Sequence, residues 1–152
     1  MKRILACVSI LAVSALFFAS NVRADNNPLG LWKTIDDGVD KGKEKSYLEI
    51  YVKDGLYFAR INKLLLKPQD TICDKCVGAL KDKPLLGMSI MYRMKKTGNV
   101  DSKFGEEYAG GTIMDPDNGK TYRCKFWVKG DVMIVRGYLA FFYRTQKWYR
   151  KK

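Results

Sequence analysis

Three cysteines have the widest chemical repertoire of any side chains in this sequence: Cys73 and Cys76 in a C-x-x-C spacing, and Cys124 further along. A C-x-x-C pair can carry dithiol redox chemistry, hold a metal ion or form a disulfide. A thioredoxin-like redox site needs the pair at the start of a helix in a βαβ unit, a pattern this segment does not show. Zinc bound by three thiolates would lack a fourth good ligand. We therefore expect a structural disulfide.

Of the four cysteines, Cys7 lies in the N-terminal segment that we expect to be removed as a signal peptide. The other three allow one bridge and leave one free thiol, so the pairing of the disulfide has three solutions. A Cys73–Cys76 bridge closes a very small loop. A bond from either residue to Cys124 would tie an irregular segment to a distant strand, with a larger entropic benefit. We favour the local bridge and keep both bonds to Cys124 as alternatives.

Histidine is absent from the sequence. This removes the usual general base near neutral pH and the commonest metal ligand, and it argues against an ordinary hydrolase or a zinc site. No other catalytic motif stands out. We expect a protein that is not an enzyme and has neither cofactor nor metal.

The elements that must position these residues are β-strands. Short runs of alternating apolar residues are separated by Gly, Asp, Asn and Pro about every ten residues, which is typical of all-β architecture. The expected strands are residues 31–36, 47–53, 56–65, 86–95, 108–114, 121–129, 132–139 and 144–150, with an irregular excursion over 67–83. About eight antiparallel strands in sequence favour a single up-and-down β-barrel, which can enclose one small ligand. An open sandwich is the alternative.

Two hairpins can be tested for register. Asp54-Gly55 is a strong two-residue turn signal, and it pairs Val52 with Tyr57, Ile50 with Ala59 and Leu48 with Ile61 on an apolar face.

The hairpin around Gly130 offers two registers. A two-residue turn would oppose the like charges of Lys125 and Arg136, whereas a three-residue loop pairs Phe126 with Ile134, Cys124 with Arg136 and Tyr122 with Tyr138. We expect the three-residue loop.

This register would turn Arg136 toward the barrel interior, within an aromatic wall. Its planar guanidinium could then orient a ligand carboxylate or phosphate through two parallel hydrogen bonds. The alternative is a structural role, either an ion pair with a buried acid or stacking on Tyr138 or Trp148. The residues expected to contact a ligand are Tyr57, Ile61, Phe126, Ile134, Arg136 and Tyr138.

The first 24 residues have the pattern of a secretory signal peptide: Lys2 and Arg3, an apolar run and a small-residue exit ending at Ala24. The expected domain is therefore residues 25–152, in the periplasm or secreted. Loss of Lys2, Arg3 and Arg23 leaves 25 basic against 16 acidic residues, a net charge of +9. Because the charges are scattered along the chain, we expect no specific nucleic-acid partner.

Two sets of motifs resemble known families. Gly30-x-Trp32 at the first strand and Trp148-x-Arg150 at the last are similar to the lipocalin and wider calycin group, in which an arginine of the final strand covers the tryptophan and closes the barrel. Nearly the whole domain resembles the uncharacterised exported bacterial family called domain of unknown function 2147. The matching segments are Gly30-x-Trp32-x-Thr34-x-Asp36, Ile50-Tyr51 with Gly55, Cys73 to Cys76 with Gly78, Lys81 to Pro84 with Gly87, Gly110 to Cys124, Arg136 to Tyr138 and Arg144-Thr145-Gln146-x-Trp148-x-Arg150.

The resemblance implies a calycin-like barrel outside the cytoplasm and supplies no catalytic residues. This chain departs from the family pattern at Tyr108, where we expect Trp, and at Ala140 and Tyr143, where we expect Gly. Taken together, the residues and the resemblance predict an exported lipocalin-like protein that binds a small apolar or amphipathic molecule inside the barrel, such as a fatty acid or a lipid-like molecule, with or without a negative charge. The alternative is a solidly packed barrel whose basic surface contacts anionic envelope components or proteins. The sequence does not determine the oligomeric state.

Overall fold

The computed structural model describes residues 26–152, so the expected signal peptide lies outside the described residues. Eight β-strands follow one another, and the only helix in the described part is a single 3-10 turn at Gly78–Leu80. The strands are β1 (Gly30–Ile35), β2 (Glu44–Lys53), β3 (Leu56–Leu64), β4 (Ser89–Asp101), β5 (Gly105–Asp115), β6 (Lys120–Lys129), β7 (Val132–Leu139) and β8 (Phe142–Arg150).

Every strand pairs antiparallel with its neighbours in sequence, and β1 also pairs with β8, which closes the sheet into a barrel. The expected all-β, eight-stranded, up-and-down barrel is confirmed. Closure leaves no long unpaired strand edge, which is how barrels avoid edge-to-edge association. Within residues 26–152 no helix is long and apolar enough to cross a membrane.

The two ends of the barrel differ. The short turns β2–β3, β4–β5 and β6–β7 lie at one end, together with residues 26–29, and we call this the closed end. At the other end lie the β1–β2 loop, the 65–88 excursion between β3 and β4, and the β5–β6 and β7–β8 turns. We call this end the mouth.

The β2–β3 hairpin has the expected register. Asp54 and Gly55 form the turn with φ of 52° and 71°, and Val52, Ile50 and Leu48 lie opposite Tyr57, Ala59 and Ile61. Beyond Leu48 a bulge shifts the pairing by one residue, so that Tyr47 faces Lys63.

The expected register of the β6–β7 hairpin is wrong. The turn has two residues, Gly130 and Asp131, and Lys125 lies directly opposite Arg136. Other side chains stabilise the two like charges. Lys125 forms an ion pair with Glu107 of β5 at 3.3 Å, and Arg136 stacks on aromatic rings. Trp127 lies on β6, but Glu107 and Tyr143 come from β5 and β8, so the charges of the two strands alone led to the wrong loop.

The closed half of the barrel is filled by its own side chains. Large residues from six strands are at most 1% exposed there: Trp32, Ala59, Met91, Met94, Tyr108, Phe126, Val128 and Met133. The Tyr108 and Phe126 rings stack with centroids 4.5 Å apart. Gly111 is needed beside this core, because a Cβ there would lie 2.0 Å from the Tyr92 carbonyl oxygen. A bulge at this point shifts the β5–β6 register between Ala109 and Gly111.

The 65–88 excursion is pinned by the expected local disulfide. Cys73 and Cys76 are bonded, and Cys124 is a free, buried thiol. Cys76 Sγ contacts Met114 Sδ at 3.8 Å. A Cβ on Gly119 would lie 1.8 Å from the Lys75 carbonyl oxygen, so the β5–β6 turn packs directly on this excursion. The excursion is therefore a fixed part of the mouth.

Candidate functional site

A cavity of about 780 Å³ occupies the half of the barrel next to the mouth. Its wall is apolar in the middle of the barrel and becomes polar toward the opening. The apolar lining comprises Leu48, Ile61, Leu64, Leu85, Ile90, Ile113, Val135 and Trp148. The barrel is therefore packed solid at one end and hollow at the other.

Uncharged polar groups interrupt the apolar wall. The hydroxyls of Thr34 on β1 and Ser46 on β2 lie 2.7 Å apart, and both residues are 7% exposed. On the other side of β1, Gln146 of β8 accepts a hydrogen bond from Trp148 Nε1 at 3.4 Å. These hydroxyl and amide groups can donate hydrogen bonds to a guest molecule or accept them from it, and no ion pair has to be broken for this.

Most charged side chains that line the mouth are paired with one another; among the described residues of this lining, Lys75 is in no ion pair. Asp117 of the β5–β6 turn contacts Lys45 and, at 3.0 Å, Lys67. Lys45 also lies 3.3 Å from Asp36. Burial is the largest single effect and raises the pKa of Asp117, but the hydrogen bonds and positive charges of Lys45 and Lys67 together hold this pKa below its ordinary value.

Arg144 forms the second part of this charged rim. Its guanidinium contacts Asp37 of the β1–β2 loop and lies 3.2 Å from Asp115 at the end of β5. Burial is the largest single effect and raises the pKa of Asp37, but the hydrogen bond and charge of Arg144, together with hydrogen bonds from Gln146 and the backbone, give a net downward shift. One arginine therefore holds three elements of the mouth together.

The inner wall beside the closure of the barrel is built from two alternating rows. Val135 pairs with Gln146, Gly137 with Arg144, and Met133 with Trp148, so Arg144, Gln146 and Trp148 point to the same side of β8. On β1, Trp32 pairs with Arg150 and Thr34 with Trp148. Sequence reasoning missed Thr34, Arg144 and Gln146 as site residues. Their signal was the period of two in Gly30-x-Trp32-x-Thr34-x-Asp36 and Arg144-x-Gln146-x-Trp148-x-Arg150, which places every second residue on one face.

The six residues expected to contact a ligand fall into three places. Ile61 lines the cavity. Tyr57 and Phe126 lie inside the barrel but in its filled half, where both contact Tyr108. The expectation that Ile134, Arg136 and Tyr138 face the interior is wrong, because the observed register turns Met133, Val135 and Gly137 inward instead.

Arg136 lies on the outer surface, among aromatic rings. Its guanidinium carbon is 5.2 Å from the ring centroids of Phe104 and Trp127 and 4.8 Å from that of Tyr143. Its Nε donates a hydrogen bond to Thr145 Oγ1 at 3.1 Å. Arg136 is thus a stacked surface arginine, as in the alternative reading of the sequence, with different ring partners.

The closed end is capped by Arg150 and Trp32. The Arg150 guanidinium carbon lies 4.4 Å from the Trp32 centroid, and its nitrogens donate to the carbonyl oxygens of Asn27 and Leu29 at 2.7 and 3.1 Å. Trp32 Nε1 donates to the Pro28 carbonyl at 2.7 Å. Gly30, at φ 104°, lets the chain turn into β1 below this cap.

The apolar and polar groups that line the cavity can bind a guest molecule. No group of three or more His, Cys, Asp or Glu side chains suited to a metal ion occurs in the part of the chain that the structure describes. The free thiol of Cys124 is buried, which raises its pKa to about 12, so it is a poor nucleophile at neutral pH.

Comparisons with known proteins agree with this fold. A family model described as "Uncharacterized protein conserved in bacteria (DUF2147)" matches residues 30–150. The solved structure of protein HP1028 from the human pathogen Helicobacter pylori, described as belonging to the lipocalin family, is similar with a TM-score of 0.66 and 16% sequence identity over 82% of each chain. At that identity the similarity establishes the fold alone. No curated protein matches this chain significantly.

Proposed function

This chain belongs to the bacterial family DUF2147, and we propose that it is an exported binding protein that holds one small amphipathic molecule in the hollow half of its barrel. The observation that carries the proposal is the cavity of about 780 Å³ between a filled closed end and an open mouth. Ligand sites in proteins commonly have volumes of about 300–1,000 Å³ and combine an apolar wall with a few polar groups.

The wall indicates the polarity of the ligand. The apolar part of the ligand would lie against Leu48, Ile61 and Val135, which are at most 4% exposed. Its head would lie near Thr34, Ser46 and Gln146, which offer hydroxyl and amide groups. The ligand is therefore a molecule with an apolar body and a hydrogen-bonding head.

The rim favours a head without net negative charge. Arg144 and Lys45 each contact two carboxylates, Asp37 and Asp115 for Arg144 and Asp36 and Asp117 for Lys45. A fatty-acid carboxylate would have to compete with these protein carboxylates for either cation. An alcohol, amide or ester head needs no such exchange, so we propose a neutral or zwitterionic amphipath in place of the anionic ligand expected from Arg136.

Binding can be tested with N-phenyl-1-naphthylamine, a neutral apolar dye whose fluorescence rises in apolar sites. We expect Ile61→Trp, which fills the cavity, to weaken dye binding at least ten-fold. Val100→Trp adds the same group at a 70% exposed position and should leave binding unchanged. Ile90→Phe is a milder filling variant if Ile61→Trp does not fold. Unchanged binding in a folded cavity-filling variant would contradict the proposal.

The head-group preference has its own test. We expect 1-monomyristoylglycerol to displace the dye at lower concentration than myristic acid at pH 7.5, since the two share one acyl chain. The reverse order would contradict the neutral head and leave the cavity assignment standing. Native mass spectrometry of protein purified from an exporting host would then identify the natural occupant.

Export is the remaining part of the proposal, and it is supported by the signal-peptide pattern of residues 1–24. We expect the protein recovered from a periplasmic extract to begin at Asp25. A cytoplasmic protein that retains Met1 to Ala24 would contradict export.

A further inference from the structure

The turn between β7 and β8 projects an unusually apolar group of side chains at the mouth. We call residues 139–143 the aromatic tip. Leu139, Phe141, Phe142 and Tyr143 are 58%, 83%, 67% and 59% exposed, respectively. The Phe141 and Phe142 ring centroids lie 4.3 Å apart, so the two rings form one apolar surface.

The aromatic tip cannot be explained by packing within the described chain. Two rings in contact with each other and mostly exposed to water are unfavourable for a freely soluble surface, because apolar area in water costs about 25 cal/mol per Å². Ala140 adopts φ 52° in this turn, a conformation that favours glycine. Exposed apolar patches of this kind mark contacts with proteins or membranes.

Positive charge flanks the aromatic tip on its outer side. Arg123 Nη2 lies 3.5 Å from the Ala140 carbonyl oxygen, and Arg136 stacks on Tyr143. Between residues 26 and 152, neither guanidinium lies within 4.0 Å of a carboxylate oxygen. The charge of Arg136 also acts on Asp101 at longer range. Two arginines without a salt bridge beside exposed aromatic rings are the combination that suits an anionic lipid surface, where rings lie at the head-group level and cations attract phosphates.

We propose that the aromatic tip docks the barrel, mouth first, on the surface of an anionic bilayer. Leu139, Phe142 and Tyr143 also line the cavity entrance, so docking would bring that entrance to the head-group region. The shape and charge favour a bilayer over a second copy of the chain: the tip is a projecting two-residue turn, and residues 25–152 carry a net charge of +9, which makes copies repel one another. This proposal goes beyond ligand binding and does not depend on it.

Co-sedimentation of the mature protein with vesicles tests the docking. The vesicles are phosphatidylcholine with about 30% phosphatidylglycerol, and pure phosphatidylcholine is the comparison. We expect binding to the anionic vesicles and a loss of about ten-fold in Phe141→Ser, since that ring is the most exposed of the tip. Val100→Ser removes a 70% exposed apolar residue from β4, away from the mouth, and should bind as the wild type does.

Other outcomes would overturn the proposal. Failure of the wild-type protein to bind anionic vesicles would do so directly. Equal binding by the wild type and Phe141→Ser, abolished by salt in both, would show a general basic-surface attraction without insertion of the tip. Self-association that Phe141→Ser removes, without vesicle binding, would assign the tip to a second copy.

A second measurement reports on insertion itself. Tryptophan placed at position 141 by Phe141→Trp should shift its emission to shorter wavelength on adding anionic vesicles and should be quenched by brominated lipid. Val100→Trp, measured against the same background of three native tryptophans, should show neither effect. Dye binding in the cavity should be the same for Phe141→Ser and the wild type, so a failure of docking is distinguishable from a failure of ligand binding.

Discussion

Arg150 stacks its guanidinium on Trp32 at 4.4 Å and thereby joins the last strand to the first at the closed end. The same guanidinium donates to carbonyl oxygens of residues 27 and 29 and pairs with Asp131 at 3.3 Å. One side chain thus fixes the N-terminal segment, the β6–β7 turn and the strand closure. The first and last strands are thus joined at the end of the barrel opposite the cavity.

Loss of this cap should destabilise the whole fold. We expect Arg150→Ala to lower the free energy of unfolding by about 2–3 kcal/mol, because it removes a stacked cation and several charged hydrogen bonds to backbone oxygens. Urea denaturation followed by circular dichroism measures the change.

Arg60 provides the matched control. It also stacks on an aromatic ring, that of Tyr51 at 5.2 Å, and pairs with Glu49 at 2.7 Å, but it lies exposed within one hairpin. We expect Arg60→Ala to cost less than about 1 kcal/mol. Equal losses of unfolding free energy in Arg150→Ala and Arg60→Ala would contradict the role of Arg150 in closing the barrel.

Two arginines should differ in their effect on ligand binding. Arg144 lines the cavity and holds Asp37 and Asp115 at the mouth, whereas Arg136 lies outside. We expect Arg144→Ala to weaken dye binding about three- to ten-fold, and Arg136→Ala to leave it within two-fold, which titration of dye fluorescence measures. A larger loss in Arg136→Ala would support the rejected β6–β7 register.

The mouth should loosen in acid. The pKa of Asp117 is lower in the folded protein than its ordinary value, so its ion pairs stabilise the fold above about pH 4, and this contribution is lost as the pH falls through the folded pKa. We expect Asp117→Asn to cost about 0.5–1 kcal/mol at pH 7, since the pair is partly exposed and screened. The cost should shrink below pH 4.

Urea titrations of both proteins between pH 7 and pH 3 measure this convergence. Asp70→Asn, a change at an exposed carboxylate of the 65–88 excursion, should show no such dependence. A difference between the wild type and Asp117→Asn that persists at pH 3 would contradict the ion-pair origin.

Cys124 should not react with thiol reagents in the folded protein. Its thiol is 3% exposed and burial raises its pKa to about 12, so little thiolate is present at pH 8. We expect iodoacetamide to add no mass to the native mature chain and one label after denaturation without reductant. Two further labels should appear only after reduction of Cys73–Cys76. Labelling of the native chain would show that the β6 wall opens.

The fold was predictable from local signals because turn chemistry and alternation agree along most of the chain. Asp54-Gly55 fixed one hairpin, and the C-x-x-C spacing led to the correct disulfide. Both features depend on neighbours in sequence, so one chain is enough to predict them.

The β6–β7 register was not predictable from the two strands, because it depends on side chains that arrive from elsewhere. Phe104 and Tyr143 accept Arg136 on the outside, and Glu107 neutralises Lys125. A shift of one residue turns every side chain of a strand to the other face. Because the predicted register differed from the observed one by one residue, three of the six expected ligand contacts were predicted in the interior although they lie on the outer face of the barrel.

The filled closed end makes the barrel a blind tube. Trp32, Phe126 and Met133, all fully buried, fill that end in the part of the chain that the structure describes, so we expect a guest molecule to leave through the mouth by which it entered. A second molecule cannot displace the bound one from the filled end, so it can bind only after the bound molecule has dissociated. Exchange of one guest for another should therefore proceed at a rate that the concentration of the second molecule does not change.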